Sequence, residues 1–230
     1  MRSVLLHALR RDLADKRPCA TVTDMASDRQ ALVSGNAVSG DDFLSADHLI
    51  EVRRRIATDR SGVIADTQIF VRVYTPPPRM VIVGAVHIAQ ALAPMAKIAG
   101  FEVTVIDPRE AFVRSGQLAD IDAIVAWPDE AMSQVAPDIR TAVVTLTHDP
   151  KLDDPALVSA LRSPAFYIGA LGSRKTHAKR LQRLTGDGLS EADLARIHGP
   201  VGLDIDALTP AEIAVSILAQ VIATLRAEPA

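Results

Sequence analysis

Short runs of apolar residues recur after residue 79 and constrain the fold of this chain most. Each is four or five residues long, shows no alternation of polar and apolar side chains, and is separated from the next by a helix-period stretch. Strands buried on both faces have this composition, as in a parallel sheet covered by helices. The runs are MVIV, EVTVI, DAIVA, AVVTL and AFYIG. We therefore predict an α/β fold, a Rossmann-like parallel sheet with helices on both faces.

A proline-rich segment, Tyr74 to Met80, precedes the first of these runs. It contains three consecutive prolines, which favour extended polyproline II structure and cannot continue a helix. We place a domain junction there, between a small α+β module over residues 1–75 and the Rossmann-like domain over residues 76–230. In the module, ATVTDM and QIFVRVY are suited to strands, and Ser45 is a candidate N-cap for the following helix.

Charge and cysteine usage exclude several classes of protein. The chain has 25 basic and 28 acidic side chains, a net charge of −3, so no basic field is available to hold a nucleic acid. The single cysteine, Cys19, cannot form an internal disulfide; it is either a sulfur-handling thiol or a small buried hydrophobe. No apolar run reaches the about 18 residues that a membrane span needs. We predict a cytoplasmic protein with neither nucleic acid nor membrane among its partners.

The first apolar run leads into a turn that approximates a dinucleotide-binding fingerprint. In the G-x-G-x-x-G/A pattern, Gly84 and Ala89 fill the first and third positions, but Val86 replaces the glycine that lets a pyrophosphate approach the backbone. Asp107 follows the next strand, where an acid would accept ribose hydroxyls. His87 is either a neutral, ligand-facing imidazole at the predicted helix start or a solvent-exposed side chain. The turn either binds a nucleotide-like ligand or serves packing, with Asp107 bracing the next loop.

A second glycine turn follows the last apolar run. Gly169 and Gly172 free the backbone, Ser173 is a candidate N-cap, and Arg174 and Lys175 fall in the first helical turn. Cations there cost a few tenths to about 1 kcal/mol each, so an anion is expected to offset this cost. The alternative is a solvated basic helix face. We assign that solvated role to Lys179, Arg180 and Arg183.

Two further loops are expected at the same edge of the sheet. Residues 147–150 (THDP) follow one predicted strand, and residues 199–204 (GPVGLD) precede the last helix, whose start is marked by the capping box at residues 209–212. His148 and Asp149 either contact a ligand or form the turn. The sequence has no Ser-His-Asp spacing, no H-E-x-x-H and no C-x-x-C, so we predict neither catalytic nor metal-binding residues.

Five segments, in this order, resemble the C-terminal Rossmann domain of the XdhC/CoxI family, accessory factors of molybdenum hydroxylases. The resemblance covers about Pro76 to Leu225. The segments are VIVGAVHIAQALAPMA, VTVIDPR, TLTHDP with DDPAL, YIGALGSRKTHAKRL and GPVGLDIDALTPAEIAVSIL. Two departures set this chain apart: Val86 breaks the usual G-A-G-H turn, and the first module lacks the family's G-S-x-P-R-like motif. The chain resembles a shorter subgroup with a degenerate N-terminal domain.

The resemblance implies a chaperone for the molybdenum cofactor rather than an enzyme. Such a protein binds molybdopterin or its cytosine dinucleotide form, assists its sulfuration, and passes it to an apo-molybdenum hydroxylase of the xanthine dehydrogenase or carbon monoxide dehydrogenase type. A cysteine desulfurase is an implied partner, and a homodimer is compatible with the sequence. By position, the implied cofactor-binding residues are Gly84, His87, Asp107, Arg109, Gly169, Gly172, Ser173, Arg174, His177 and Gly202.

Two other functions are compatible with the residues alone. Gly84, Ala89 and Asp107 favour an NAD(P)-dependent oxidoreductase, although Val86 argues against NAD(P) as the ligand. A nucleotide-binding regulatory scaffold that only docks on the hydroxylase needs no phosphate contact from Arg174.

Overall fold

The computed structural model describes residues 3–110, 118 and 120–227. The chain divides into two compact units, one running to Pro76 and including the chain end from Arg226, the other running from Pro77 to Leu225. Among the residues described, no helix is both long enough and apolar enough to cross a membrane.

The first unit is a five-stranded antiparallel sheet with two helices. Its elements are α1 (Ser3–Ala14), β1 (Cys19–Asp24), β2 (Gln30–Ser34), β3 (Ala37–Gly40), α2 (Ala46–Thr58), β4 (Gly62–Val63) and β5 (Ile69–Tyr74). The sheet order is β3-β2-β1-β5-β4, so the two predicted strands are confirmed and lie side by side. Ser45 caps α2 as predicted, its Oγ accepting from His48 N at 3.2 Å. The residue pattern predicted neither α1 nor the β2–β3 hairpin.

The second unit alternates strands and helices, as the apolar runs predict. Its elements are β6 (Arg79–Val83), α3 (His87–Ile98), β7 (Glu102–Ile106), β8 (Asp122–Ile124), α4 (Pro128–Val135), β9 (Thr141–Thr145), α5 (Pro150–Leu161), β10 (Tyr167–Ala170), α6 (Arg174–Gly186), α7 (Glu191–Leu194), β11 (Ile197–His198) and α8 (Pro210–Arg226). The capping box of α8 is present, with Glu212 N donating to Thr209 Oγ1 at 3.2 Å and Thr209 N to Glu212 Oε2 at 2.9 Å.

The second sheet is wholly parallel, in the order β11-β10-β9-β6-β7-β8. Counted within the unit, its strands run 6-5-4-1-2-3, which is the order of a dinucleotide-binding Rossmann fold. The order reverses between β6 and β9, where Val83 pairs with Thr145. Ligands of open α/β sheets bind beyond the carboxyl ends of the strands at such a reversal. The topology therefore places the site at the ends of β6 and β9.

Both faces of this sheet are covered by helices. Alternate residues of the strands pack against α3 and α8 on one face and against α4, α5, α6 and α7 on the other. One expectation was wrong: DAIVA is not buried on both faces, because β8 is an edge strand and its Asp122 and Ala123 are exposed. Because an edge strand has a neighbouring strand on one side only, its residues are more exposed than their apolar character suggests.

Candidate functional site

In the turn after β6, the backbone of Gly84 packs closely against Thr147, which follows the neighbouring strand β9. Gly84 has φ +107°, and its N–H donates to Ile106 O at 2.8 Å. A Cβ at this position would lie 2.4 Å from Thr147 Cγ2, in the loop that follows β9. Both the backbone conformation and the space therefore require glycine. Ala89, the third residue of α3, is fully buried. A small residue at this position of the fingerprint lets the helix pack closely on the strand.

Asp107 braces this turn. Its buried carboxylate accepts four hydrogen bonds: from Ala85 N at 2.8 Å, from Arg109 N and Nε at 2.9 Å, and from Arg109 Nη2 at 2.7 Å. Burial raises the pKa of Asp107, but the Arg109 and Ala85 hydrogen bonds outweigh it and hold the pKa below its usual value. The bracing interpretation is thus what the geometry shows; contact of Asp107 or Arg109 with a ligand stays a prediction.

The start of α3 leaves His87 accessible. His87 is the first residue of the helix and is exposed, as the solvent-exposed alternative expects. Val86, the N-cap residue, offers its helix no side-chain hydrogen bond and packs partly against the core. Val86 thus occupies the position that is glycine in the dinucleotide fingerprint.

The turn after β10 presents two cations at a helix start. Gly172 has φ +133°, and Ser173 is the N-cap of α6 as predicted, its Oγ accepting from Thr176 N at 3.2 Å. Arg174 and Lys175 are exposed, and within the described ranges neither pairs with a carboxylate. In that part of the chain their main-chain N–H groups also have no acceptor. Unpaired N–H groups, the helix dipole and two cations make this turn suited to a phosphate.

Gly169 and Gly202 serve packing around a buried tyrosine. A Cβ at Gly169 would lie 2.5 Å from Val201 Cγ2 and 2.8 Å from Tyr167 Cε1, and one at Gly202 would lie 2.3 Å from Ser216 Oγ. Gln220 Oε1 accepts from both Tyr167 Oη, at 2.5 Å, and Gly202 N, at 2.8 Å. These two glycines therefore join the loop after β11 to β10 and α8, next to the glycine turn.

His177 lies between α6 and the loop after β11. A Cβ at Gly199 would lie 2.2 Å from His177 Nδ1, so the loop backbone rests on the imidazole ring. His177 Nδ1 is buried and, among the residues that the structure describes, has no hydrogen-bond partner. Burial and the positive charge of Arg180 lower the pKa of His177, so its imidazole is neutral at pH 7. The sequence-predicted His177 therefore contacts the site's supporting loop.

Arg180 corrects the expectation of a solvated helix face. Its side chain is 2% exposed, and Nη2 donates to Leu171 O in the glycine turn at 2.8 Å. Asp153 Oδ2 of α5 lies 3.6 Å from the same nitrogen, while Arg180 Nε and Nη1 have no hydrogen-bond partner within the described part of the chain. Arg183, placed on the same face, instead pairs with Asp154 at 2.6 and 3.0 Å. Lys179 is exposed, as predicted. The cations of α6 thus divide into an exposed pair at the helix start, the exposed Lys179, the paired Arg183 and the buried Arg180.

Asp153 joins this buried arginine to the loop after β9. Its carboxylate accepts from Thr147 Oγ1 at 2.7 Å, Thr147 N at 3.3 Å and His148 N at 3.2 Å. Burial raises the pKa of Asp153 despite the Thr147 hydrogen bonds.

Asp149 acts as a turn-former, because it caps α5 by accepting from Lys151 N at 2.9 Å. His148 is exposed, in a left-handed conformation.

The contacts form one continuous path along the carboxyl edge. Gly84 touches Thr147, Thr147 bonds to Asp153, Asp153 pairs with Arg180, and Arg180 bonds to Leu171 in the glycine turn. The two glycine turns are therefore held by a shared buried network. We did not expect Asp153 and Arg180 in this role; the signal was that Arg180 precedes the core residue Leu184 by four positions, on the same helix face.

The sequence pattern of the XdhC Rossmann domain matches residues 80–221, the whole of this edge included. The chain belongs to the XdhC family. The resemblance drawn from the five segments is confirmed, and so is the Rossmann-like fold.

Two bacterial proteins are similar in sequence to this XdhC family member. It is 33% identical over 148 residues to the molybdenum cofactor insertion chaperone PaoD of Escherichia coli, which is 64% of this chain and 40% of PaoD. It is 33% identical over 159 residues to a Bacillus subtilis protein named as a probable xanthine dehydrogenase component, 69% of this chain and 46% of that protein. The chain therefore spans less than half the length of these two curated relatives.

A solved structure shares the fold of this XdhC protein over nearly its full length. It is described as a xanthine dehydrogenase from Bacillus halodurans, and it matches with a TM-score of 0.75 at 26% identity. The match covers 96% of this chain and 66% of that one.

Proposed function

We propose that this chain binds the molybdenum cofactor at the carboxyl edge of its parallel sheet and assists its insertion into an apo-molybdenum hydroxylase of the xanthine dehydrogenase or carbon monoxide dehydrogenase type. The observation that carries the proposal is the cationic start of α6, where Arg174 and Lys175 stand exposed beside free N–H groups. The names of PaoD and of the Bacillus subtilis relative support the choice of cofactor and recipient. The chain acts as a chaperone rather than as an enzyme.

The residues of the second glycine turn fit the phosphate of a pterin cofactor. The main-chain N–H groups of Arg174 and Lys175 and their side chains are donors for the phosphate oxygens, and Gly172 keeps the approach free of a Cβ. When bound, the cofactor supplies the dithiolene that holds molybdenum. The protein's part would be to hold the phosphate end at this turn and to keep the cofactor at the carboxyl edge of the sheet.

Sulfur for the cofactor has to come from another protein in this proposal. Cys19 is fully buried in β1, and burial raises the pKa of its thiol to about 11. Because the thiolate is the reactive form, Cys19 is poorly suited to carry sulfur at neutral pH. A cysteine desulfurase as partner, like the homodimer and the cytoplasmic location, stays a prediction of the sequence.

Release of the pterin tests the proposal directly. The protein is purified from a host that makes molybdopterin, oxidised, and assayed for fluorescent pterin. We expect bound pterin in the wild type and at least about a tenfold loss in Arg174→Ala/Lys175→Ala, equivalent to about 1.4 kcal/mol of binding. Lys179→Ala is the matched control, because Lys179 is exposed on the same helix beyond its first turn. Pterin at background in the wild type, or an equal loss in Lys179→Ala, contradicts the proposal.

The strand order favours one second candidate, an NAD(P)-dependent oxidoreductase. The order 6-5-4-1-2-3 is that of nucleotide-binding folds, and Gly84 stands in the fingerprint position. Against it, Val86 replaces the fingerprint's second glycine, and the Asp107 carboxylate already accepts four hydrogen bonds. Trp127, the only tryptophan, lies at the start of α4 in the same unit. No change of its fluorescence and no heat of binding at millimolar NAD(H) and NADP(H) would eliminate this candidate.

A further inference from the structure

The loop between β11 and α8 exposes three large aliphatic side chains. In this 203–208 loop, of sequence LDIDAL, Leu203 is 43% exposed, Ile205 51% and Leu208 87%. Single exposed aliphatic residues are common on protein surfaces, but three within six residues form a patch.

Hydrogen bonds hold both ends of the 203–208 loop on α8. Leu203 N donates to Ser216 O at 3.2 Å, and Leu208 N donates to Glu212 Oε2 at 2.8 Å. The side chains therefore project from an anchored segment. Exposure of aliphatic groups in an anchored segment costs solvation free energy, which a partner would recover.

The loop adjoins the proposed cofactor site. Its stem contributes Gly199, whose backbone rests on the His177 ring, and Val201, which packs on Gly169 beneath the glycine turn. A protein docked on the 203–208 loop would therefore lie beside the start of α6.

The charge of this segment differs sharply from that of α6. Residues 197–225 contain three acidic residues and no lysine or arginine. Two of the acids, Asp204 and Asp206, alternate with the exposed aliphatic residues, are themselves exposed, and form no ion pair in the described part of the chain. The edge thus has a basic end for an anionic ligand and an acidic, aliphatic end beside it.

The acidic residues of the loop favour one of three candidate partners over the others: a second copy of this chain, an anionic membrane or a different protein. In a symmetric dimer with this loop on the two-fold axis, a second copy would bring Asp204 and Asp206 against the same two acids, which is repulsive. An anionic membrane surface would repel the loop for the same reason. A protein with an aliphatic depression rimmed by lysine or arginine satisfies both the apolar and the acidic groups.

We propose that the 203–208 loop is the docking surface for the apo-hydroxylase that receives the cofactor, and that this partner presents an aliphatic depression with a basic rim. The inference rests on the proposed function, because it makes the recipient of the cofactor the occupant of the loop. Docking beside the glycine turn shortens the path of the cofactor between the two proteins.

Site-specific crosslinking tests the surface. A photoreactive p-benzoylphenylalanine replaces Leu208, and in the control it replaces Ile98, which is equally exposed at 88% but ends α3 at the opposite edge of the sheet. Each full-length protein is irradiated with the purified apo form of a xanthine dehydrogenase-type hydroxylase from the same organism. We expect a heterodimeric crosslink from position 208 in at least about tenfold excess over position 98. We also expect Asp204→Lys/Asp206→Lys to weaken the association at least about tenfold at low salt.

Three results would overturn the docking surface: equal crosslinking from the two positions, a crosslink at position 208 to a second copy of this chain alone, or no crosslink at all. Pterin release from the same preparations separates this failure from that of the proposed function. Cofactor loading without a crosslink at position 208 refutes the docking surface and leaves cofactor binding intact. A crosslink at position 208 without cofactor loading supports the docking surface and refutes cofactor binding.

Discussion

The buried Asp153–Arg180 pair predicts an unequal response to removal of its two members. Asp153→Asn removes the negative charge and leaves a guanidinium that is 2% exposed and donates to Leu171 O. At 3.6 Å, and with an effective dielectric constant of about 20, the lost attraction is about 4 to 5 kcal/mol before solvation. Breaking a buried pair in this way costs about 3–5 kcal/mol in practice. We expect that loss in the free energy of unfolding at pH 7.

Arg180→Met is expected to cost no more than half as much. Asp153 keeps its three hydrogen bonds from Thr147 and His148, so it is not left unpaired, and methionine fills most of the arginine volume with apolar atoms. For the same reason Asp153→Asn/Arg180→Met should resemble Arg180→Met alone. The double-mutant cycle then gives a coupling equal to the Asp153→Asn loss, about 3–5 kcal/mol, between the two residues.

Urea unfolding followed by the fluorescence of Trp127 measures these losses, because this tryptophan is the only one and belongs to the second unit. Thr185→Ala is the control for a change elsewhere on α6, where the Thr185 hydroxyl donates to Leu181 O of its own helix. A smaller loss in Asp153→Asn than in Arg180→Met, or a coupling below about 0.5 kcal/mol, would refute the reasoning.

Three further predictions concern the first turn and the cysteine. Asp107→Asn should lower the free energy of unfolding by about 1.5–3 kcal/mol at pH 7, since the Arg109 and Ala85 hydrogen bonds lose a charged acceptor. The pKa of Asp107 is lowered in the folded state, so this contribution should fade in a pH series of denaturation curves as pH falls below about 4, and a pH-independent difference would contradict it. Val86→Gly should raise NAD(H) affinity at least about tenfold in a Trp127 fluorescence titration, and an unchanged affinity would show that this side chain is not the block. The Cys19 thiol should resist alkylation at pH 8 in the native protein but not in urea, as intact-mass measurements would show; rapid native labelling would contradict its burial.

Local signals accounted for the parts of the site that depend on neighbouring residues. The apolar runs located five of the six strands of the parallel sheet, all but the short β11, and Ser45, Ser173 and Thr209 each cap the helix predicted from the sequence. A cap bonds to N–H groups two or three residues away, so its partners lie within the same short segment. Gly84 was predictable for the same reason, because the turn conformation it adopts is a property of a few consecutive residues.

The roles of the charged residues were not predictable in this way. Asp107 stands where the fingerprint predicts an acid that binds ribose hydroxyls, yet its carboxylate accepts hydrogen bonds from Ala85 N and from Arg109. The sequence predicts that Arg180 belongs to a solvated basic face of its helix, but the packing of α6 against α5 buries it beside Asp153. In each case one partner comes from a distant segment: Ala85 for Asp107 and Asp153 for Arg180.

The amino-acid sequence alone predicts the class of fold, the order of strands β6 to β10 along the chain, the family resemblance and the two glycine turns, because periodicity, capping and turn geometry act over a few residues. The tertiary structure determines which polar groups bond to other parts of the protein and which stay accessible to a ligand. That distinction depends on pairings between distant segments and on burial, which set the cost of every charge. It separates Arg174, left exposed at the start of α6, from Arg180, buried on the same helix.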